Sequence, residues 1–148
     1  MGAFPYLRAF FALLLLAAGL SKLLDLDGFY AIVEDYKFLP WALIIPGALV
    51  MIATEIGLAA WLISGRALLP AALNVLLLHW VYLGWISIAA MRGLEIENCG
   101  CFGAFWARPL SVWTFVEEGV LLLLASWFVI TARRAGPQSW AGASRPVR

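Results

Sequence analysis

The sequence predicts an all-α integral membrane protein built as a four-helix bundle. Hydrophobic residues make up 64% of the 148 residues and charged residues only 13%, whereas soluble domains average roughly 45–50% and about 25%. A chain of this length is expected to form one domain. The net charge of +1, without a basic stripe, argues against nucleic acid and leaves membrane lipid as the expected surroundings.

Four apolar runs are long enough to cross a bilayer. A hydrocarbon core of about 30 Å needs roughly 20 residues of helix, and a helix satisfies its backbone hydrogen bonds within one segment. The predicted domain, 1–132, contains spans at about 4–24, 41–64, 67–91 and 109–132, followed by a disordered basic cytoplasmic tail, 133–148. The alternative, that the first run is a cleavable signal peptide, is disfavoured because the apolar stretch is longer than is usual for one.

The distribution of positive charge predicts the orientation. Arg8, Arg66 and the arginines of the tail are little opposed by acidic residues, whereas the cations of the other two loops are diluted by six acids. The positive-inside rule therefore places both termini in the cytoplasm. The loop that follows the third span then faces outward, into an oxidising compartment in a bacterium.

Two connections have a predicted structure. In "DLDGFYAIVEDYKFLP", residues 25–40, Phe29, Ile32, Val33 and Tyr36 recur at helical spacing. This pattern is typical of a short amphipathic helix at the interface, although an ordinary loop remains an equal alternative. The turn between spans two and three is very short, which predicts that these helices are antiparallel neighbours.

The outward loop contains both cysteines of the chain, in "ENCGCFG". A disulfide between Cys99 and Cys101 would close a tiny ring and would be strained, so redox chemistry is favoured over structural crosslinking. A stable zinc site needs four ligands. His79 lies about 18 Å along its helix from the cysteine loop, so it is too far away to share a metal ion with the thiols. Transient binding of a soft metal by the two thiolates remains a minority interpretation. Gly100 and Gly103 allow tight turns beside the thiols.

Ionisable residues inside the spans are the second group of candidates. Glu55 and His79 lie near the middle of spans two and three and are predicted at similar depth, each paired with the other or with a backbone group. Their role is either to handle protons or to form an interhelical hydrogen bond that fixes the packing of the helices. Of Glu117 and Glu118 at most one can point to the bundle centre, and Glu117 is selected as a proton-handling candidate. Lys22 is expected to snorkel, with Asp25 as a potential partner.

Several segments together resemble the MauE family, which is related to the DoxX-like four-helix membrane proteins. They are "AGLSKLLD", "FLP", "TEIGLAAWL" and, as the most specific element, "CGCFG" before the last span. The resemblance implies a bacterial inner-membrane protein that acts with a periplasmic thioredoxin-like partner, MauD. It implies methylamine dehydrogenase small subunit as the client, Cys99 and Cys101 as the redox pair, and Glu55 as the membrane carboxylate.

The predicted function is a membrane thiol–disulfide relay that supports periplasmic disulfide formation or protein maturation. Cys99 and Cys101 would exchange with the thioredoxin-like partner, as in a thiol–disulfide oxidoreductase. Glu55, His79 and Glu117 would handle protons, and a membrane quinone is the candidate electron carrier, with no covalently bound cofactor and no resident metal expected. The alternatives are a non-enzymatic membrane assembly subunit and a mercury or copper transport protein.

Overall fold

A computed structural model describes residues 4–135, and within them the regular structure is entirely helical. The five helices are α1 (Phe4–Leu24), α2 (Leu26–Asp35), α3 (Trp41–Ser64), α4 (Leu68–Met91) and α5 (Val112–Arg134). Four of them, α1, α3, α4 and α5, are long and apolar enough to cross a membrane. The predicted all-α class with four spans is confirmed.

The last span begins and ends later than predicted. Helix α5 starts at Val112 rather than near Pro109, because Ser111 is its N-cap and its backbone N–H donates to Thr114 Oγ1 at 3.3 Å. Ser is among the best N-cap residues. Arg133 and Arg134, placed by the sequence in the tail, form the last turn of α5. The remainder of the predicted tail, 136–148, lies outside the described residues.

The long helices pack mainly as two pairs, α1 with α3 and α4 with α5. Helices α3 and α4 are joined by a short turn, yet they contact each other only sparsely, so the predicted neighbours are not principal packing partners. Gly19 explains the closeness of α1 and α3, since a Cβ there would lie 2.6 Å from Ile56 Cγ1. Small residues allow membrane helices to approach in this way.

Helix α2 confirms the amphipathic interpretation of the first connection. Asp25 is its N-cap, with Oδ1 accepting a 3.0 Å hydrogen bond from the Gly28 N–H. Phe29, Ile32 and Val33, with Tyr36 just beyond the helix, are all buried. They pack in one cluster with apolar residues of α3, α4 and the loop before α5, so α2 covers one end of the bundle beside the cysteines.

Candidate functional site

The cysteine loop, residues 92–111, connects α4 to α5 and is held in shape by its own backbone. The Cys99 N–H donates to Arg108 O at 2.8 Å, and the Leu110 N–H donates to Ile96 O at 2.9 Å. Between these bonds, Gly100 and Gly103 have φ values of +76° and +64°, which are readily adopted by glycine alone. The predicted tight turns at Gly100 and Gly103 are confirmed.

The two thiols lie against each other at the centre of this loop. Their Sγ atoms are 3.3 Å apart and share a hydrogen bond, and both cysteines are free and half-buried. The hydrogen bond from Cys101 is the main cause that lowers the pKa of Cys99 to about 6, and the positive charge of Arg108 helps. The pKa of Cys101 is raised, first by its bond to Cys99 and then by burial.

The unequal pKa values give the thiols different chemistry. Near neutral pH Cys99 is the thiolate and therefore the nucleophile, while Cys101 retains its proton. The carbonyl of Cys99 accepts a 3.0 Å bond from Tyr36 Oη. Burial, followed by the negative charge of the Cys99 thiolate, raises the pKa of Tyr36. Tyr36 consequently remains a neutral donor that fixes the loop over α2.

A buried lysine of α1 connects the cysteine loop to α3 through hydrogen bonds. Lys22 Nζ donates to Cys101 O at 2.9 Å and to Glu55 Oε1 at 2.6 Å, and both Lys22 and Glu55 are 1% exposed. The prediction that Lys22 snorkels or pairs with Asp25 is wrong. Asp25 instead caps α2, and Glu55 provides the buried negative charge that a desolvated ammonium group requires.

Glu55 has a second partner that the sequence did not suggest. Tyr82 Oη donates to Glu55 Oε1 at 2.6 Å. The other carboxylate oxygen, Oε2, is buried and has no hydrogen-bond partner among the described residues. A buried carboxylate oxygen of this kind can accept a hydrogen bond from a bound molecule.

His79 is buried with a different carboxylate. Its Nδ1 lies 2.8 Å from Glu118 Oε1, while Nε2 has no partner among the described residues. The prediction that Glu55 and His79 pair directly or with the backbone is therefore wrong, because Lys22, Tyr82 and Glu118 are their partners. The two side chains nevertheless line one cavity together with Tyr82, Cys101 and Glu118.

Glu118, rather than Glu117, is the inward carboxylate of α5. Glu118 is buried, whereas Glu117 forms an ion pair with Arg108 at 2.7 and 2.8 Å, and both of its members are exposed. Thr114, Glu118 and Leu122 recur at four-residue spacing and are all buried. This spacing identifies Glu118 as the inward residue. Position in the span alone could not separate two consecutive glutamates.

Lys22 and Tyr82 were the other residues that sequence reasoning missed as parts of the site. Lys22 lies at the end of an apolar run, where a lysine ordinarily reaches the interface. Tyr82 lies three residues after His79 and hence on a neighbouring part of the same helix face. No group of three or more His, Cys, Asp or Glu side chains arranged to hold a metal ion occurs within residues 4–135.

Comparison with known proteins gives one consistent family. The family described as Methylamine utilisation protein MauE matches residues 2–131. A protein named Methylamine utilization protein MauE from Paracoccus denitrificans is 33% identical over 84% of this chain and 67% of its own length. One of the same name from Methylorubrum extorquens is 33% identical over 89% and 73%.

A third relative of that name, from Paracoccus versutus, is 31% identical over 95% of this chain and 70% of its own length. No solved structure matches this chain. The chain belongs to the MauE family of membrane proteins.

Proposed function

We propose that this MauE-family protein is a membrane thiol–disulfide exchange protein of a methylamine utilisation system. The single observation that carries the proposal is the asymmetric cysteine pair: two free thiols 3.3 Å apart, with the pKa of Cys99 lowered to about 6 and that of Cys101 raised. A low-pKa nucleophile beside a protonated second thiol is the arrangement that exchange through a mixed disulfide requires.

The exchange proceeds in two steps with balanced electrons. Starting from the dithiol, the Cys99 thiolate attacks a partner disulfide, forms a mixed disulfide and releases one partner thiolate. Cys101 then loses its proton and attacks Cys99 Sγ, which closes the Cys99–Cys101 disulfide and releases the partner as a dithiol. Two electrons pass to the partner, and the reverse sequence oxidises it. The relative reduction potentials of the two pairs decide the direction.

The partner we propose is a thioredoxin-like protein on the outer side of the bacterial inner membrane. Four crossing helices put the cysteine loop on the side opposite residues 4 and 135. The arginines at the other end of the bundle favour the cytoplasm for that end. Phe105 and Trp106 follow the thiols and are each 67% exposed, which suits a protein contact beside the reacting sulfur atoms.

Protons released or taken up by the thiols need acceptors and donors within the protein. The cavity that Cys101 shares with Glu55, His79 and Glu118 supports a proton-handling role for these three side chains. Glu117 also lines this cavity, but it is paired with Arg108, so the buried Glu118 is the carboxylate of α5 that we propose for this role. The aligned relatives are named for methylamine utilisation, so methylamine dehydrogenase, with its small subunit matured by this exchange, is the client we propose.

Trapping of the mixed disulfide tests the proposal. A Cys101→Ser variant retains the nucleophile Cys99 but cannot resolve the intermediate, so expression beside a thioredoxin-like partner from a methylamine utilisation system should accumulate a disulfide-linked complex. The complex is measured by non-reducing gel electrophoresis and mass spectrometry. Cys99→Ser is the matched control, since it removes the thiolate and should trap at least about tenfold less complex.

Three outcomes would contradict the proposal. If neither variant captures the partner, thiol exchange with it fails. If both single variants and the double variant support client maturation as well as the original protein does, the loop acts only as an assembly contact. Dithiol-dependent uptake of mercuric or cuprous ions without any trapped protein would instead support metal transport.

A further inference from the structure

A lateral cleft lies between α3 and α4, two helices that contact each other only sparsely. Its walls include Val50, Met51 and Thr54 from α3 and Val81 and Trp85 from α4. Val50 and Val81 are 65% and 52% exposed, and both lie close to the midpoints of their spans. The mouth of the cleft is therefore apolar and opens towards the hydrocarbon core of the bilayer.

The cleft adjoins the cavity that the cysteines line. Met51, Tyr82 and Trp85 line both the cleft and the cavity beneath the cysteine loop, and Cys99 and Cys101 line that same cavity. A molecule that enters between α3 and α4 is thus separated from the cavity of the thiols only by these shared side chains, and it does not pass through water. A bound protein partner, by contrast, approaches Cys99 from the loop side.

Aromatic side chains build one wall of this route. Phe38 packs edge-on against Trp85 with ring centroids 4.6 Å apart, and Tyr36 lies 5.7 Å from the same indole. These contacts hold the Trp85 ring in place from the α2 side. A fixed indole favours a flat, unsaturated ring as its neighbour, since offset or edge-to-face aromatic contacts add binding energy beyond the buried area.

The inner end of the route is polar. Tyr82 lines the cleft and the cavity, and its Oη donates to Glu55 Oε1 at 2.6 Å, where Lys22 Nζ also donates. Glu55 Oε2 remains buried without a partner among the described residues. Glu55 lines a neighbouring cavity that Tyr82 also borders, so a hydroxyl group that passes Tyr82 would find an acceptor there, which a hydrocarbon chain could not use.

We infer that this cleft binds a membrane quinone, whose ring lies against Tyr82 and Trp85 and whose oxygen reaches the Glu55–Tyr82 pair. The inference rests on the proposed thiol-exchange function, because a dithiol formed from the partner's electrons needs a two-electron carrier. The apolar mouth suits a carrier dissolved in lipid and opposes a phosphate-bearing nucleotide, whose charge would have to be desolvated.

The redox step balances between the cysteine pair and the ring. Two S–H bonds break and one S–S bond forms between Cys99 and Cys101. The two electrons and two protons convert the two carbonyl groups of the quinone into the two hydroxyl groups of the quinol. Glu55 Oε2 accepts the hydrogen bond of one quinol hydroxyl. The reverse reaction, in which quinol reduces the disulfide, balances in the same way.

The test uses the full-length protein in lipid nanodiscs, reduced with dithiothreitol and freed of it by gel filtration. Decylubiquinone is added, its reduction is followed by ultraviolet absorbance, and free thiols are counted by maleimide labelling. We expect two thiols to disappear for each quinol formed. A protein with both cysteines replaced by Ser is the chemical control and should reduce no quinone.

A substitution that fills the cleft tests quinone binding there independently of the chemistry of the thiols. Met51→Trp should slow quinone reduction by about tenfold or more, since an added ring occupies the route to the cysteines. Leu123→Trp introduces the same side chain on the lipid-facing side of α5, 74% exposed, and should react as the original protein does. Both variants should still trap the thioredoxin-like partner when combined with Cys101→Ser.

The outcomes distinguish this inference from the proposed function. If trapping persists but decylubiquinone leaves the dithiol reduced, thiol exchange stands and the quinone site is overturned. If Met51→Trp and Leu123→Trp reduce quinone equally fast, binding in this cleft is overturned. If trapping also fails, the relay itself is lost, and the quinone inference with it.

Discussion

The two ends of the bundle bury different kinds of side chain. The half distant from the cysteine loop, which we call the distal half, is filled by apolar side chains such as Phe11, Leu62 and Phe128, all 0% exposed. The half below the loop, the proximal half, buries Lys22 and Glu55 just as completely. Equal burial thus serves two purposes, packing at one end and placement of charge at the other.

The contrast has a physical cause. In the distal half, Phe11 and Phe128 stack with centroids 5.8 Å apart, and the buried side chains associate mainly by close packing. In the proximal half every buried charge must find a partner, because an unpaired charge in lipid is costly. The buried pairs join helices that pack together: α1 and α3 are linked by Lys22–Glu55, and α4 and α5 are linked by His79–Glu118.

The largest expected effect is in the proximal half, with Lys22→Met. The substitution leaves Glu55 buried without its cation and should lower the free energy of unfolding by ~3–5 kcal/mol, measured by denaturant titration in mixed micelles. Lys37→Met, at an exposed position, is the matched control and should change little. The double variant Lys22→Met, Glu55→Gln should recover most of the loss. Equal effects of the two single lysine substitutions would refute the role of the buried ion pair.

A somewhat smaller effect is expected in the distal half, with Phe11→Ala. Truncation of this buried ring should lower the free energy of unfolding by about 3 kcal/mol, because a cavity replaces its packing contacts. Phe10→Ala, on the exposed neighbour, should cost less than half as much. Iodoacetamide alkylation of Cys99 should retain its midpoint at about pH 6. A shifted midpoint would show that the two halves are not independent.

The smallest effect on stability is expected at the rim of the proximal half. Arg108→Gln and Glu117→Gln each break an exposed ion pair and should change the free energy of unfolding by less than ~1 kcal/mol. Their effects on the thiol should be opposite. Arg108 lowers the pKa of Cys99 and Glu117 raises it, so alkylation should require higher pH in Arg108→Gln and lower pH in Glu117→Gln. If both substitutions shift the pH dependence of alkylation in the same direction, the charges of Arg108 and Glu117 do not control the pKa of Cys99.

The distal half and the helix count followed from the sequence more readily than the proximal half did. Three of the four spans match their predicted limits to within one residue, and α2 has the predicted apolar face of Phe29, Ile32 and Val33. Hydrophobicity is summed over some twenty residues in a span, so single positions matter little. The cysteine pair was also identified directly, because only one loop contains thiols.

The partners inside the proximal half could not be assigned in this way. Glu55 and His79 were identified as buried ionisable residues, but the expected pair between them is replaced by Lys22–Glu55 and His79–Glu118. Partner choice depends on which helices pack together, and a span's own hydrophobicity contains no information on its neighbours. The choice between Glu117 and Glu118 depended likewise on the rotation of α5.

By itself the sequence determined an all-α membrane protein with four spans and a cysteine pair in a glycine-bearing loop. These features depend on local composition and on spacing along one chain. Only the tertiary structure decided that Lys22 joins Glu55 to the loop carbonyl of Cys101. It alone made the two thiols unequal, because the pKa of Cys99 depends on the hydrogen bond from Cys101 and on the charge of Arg108.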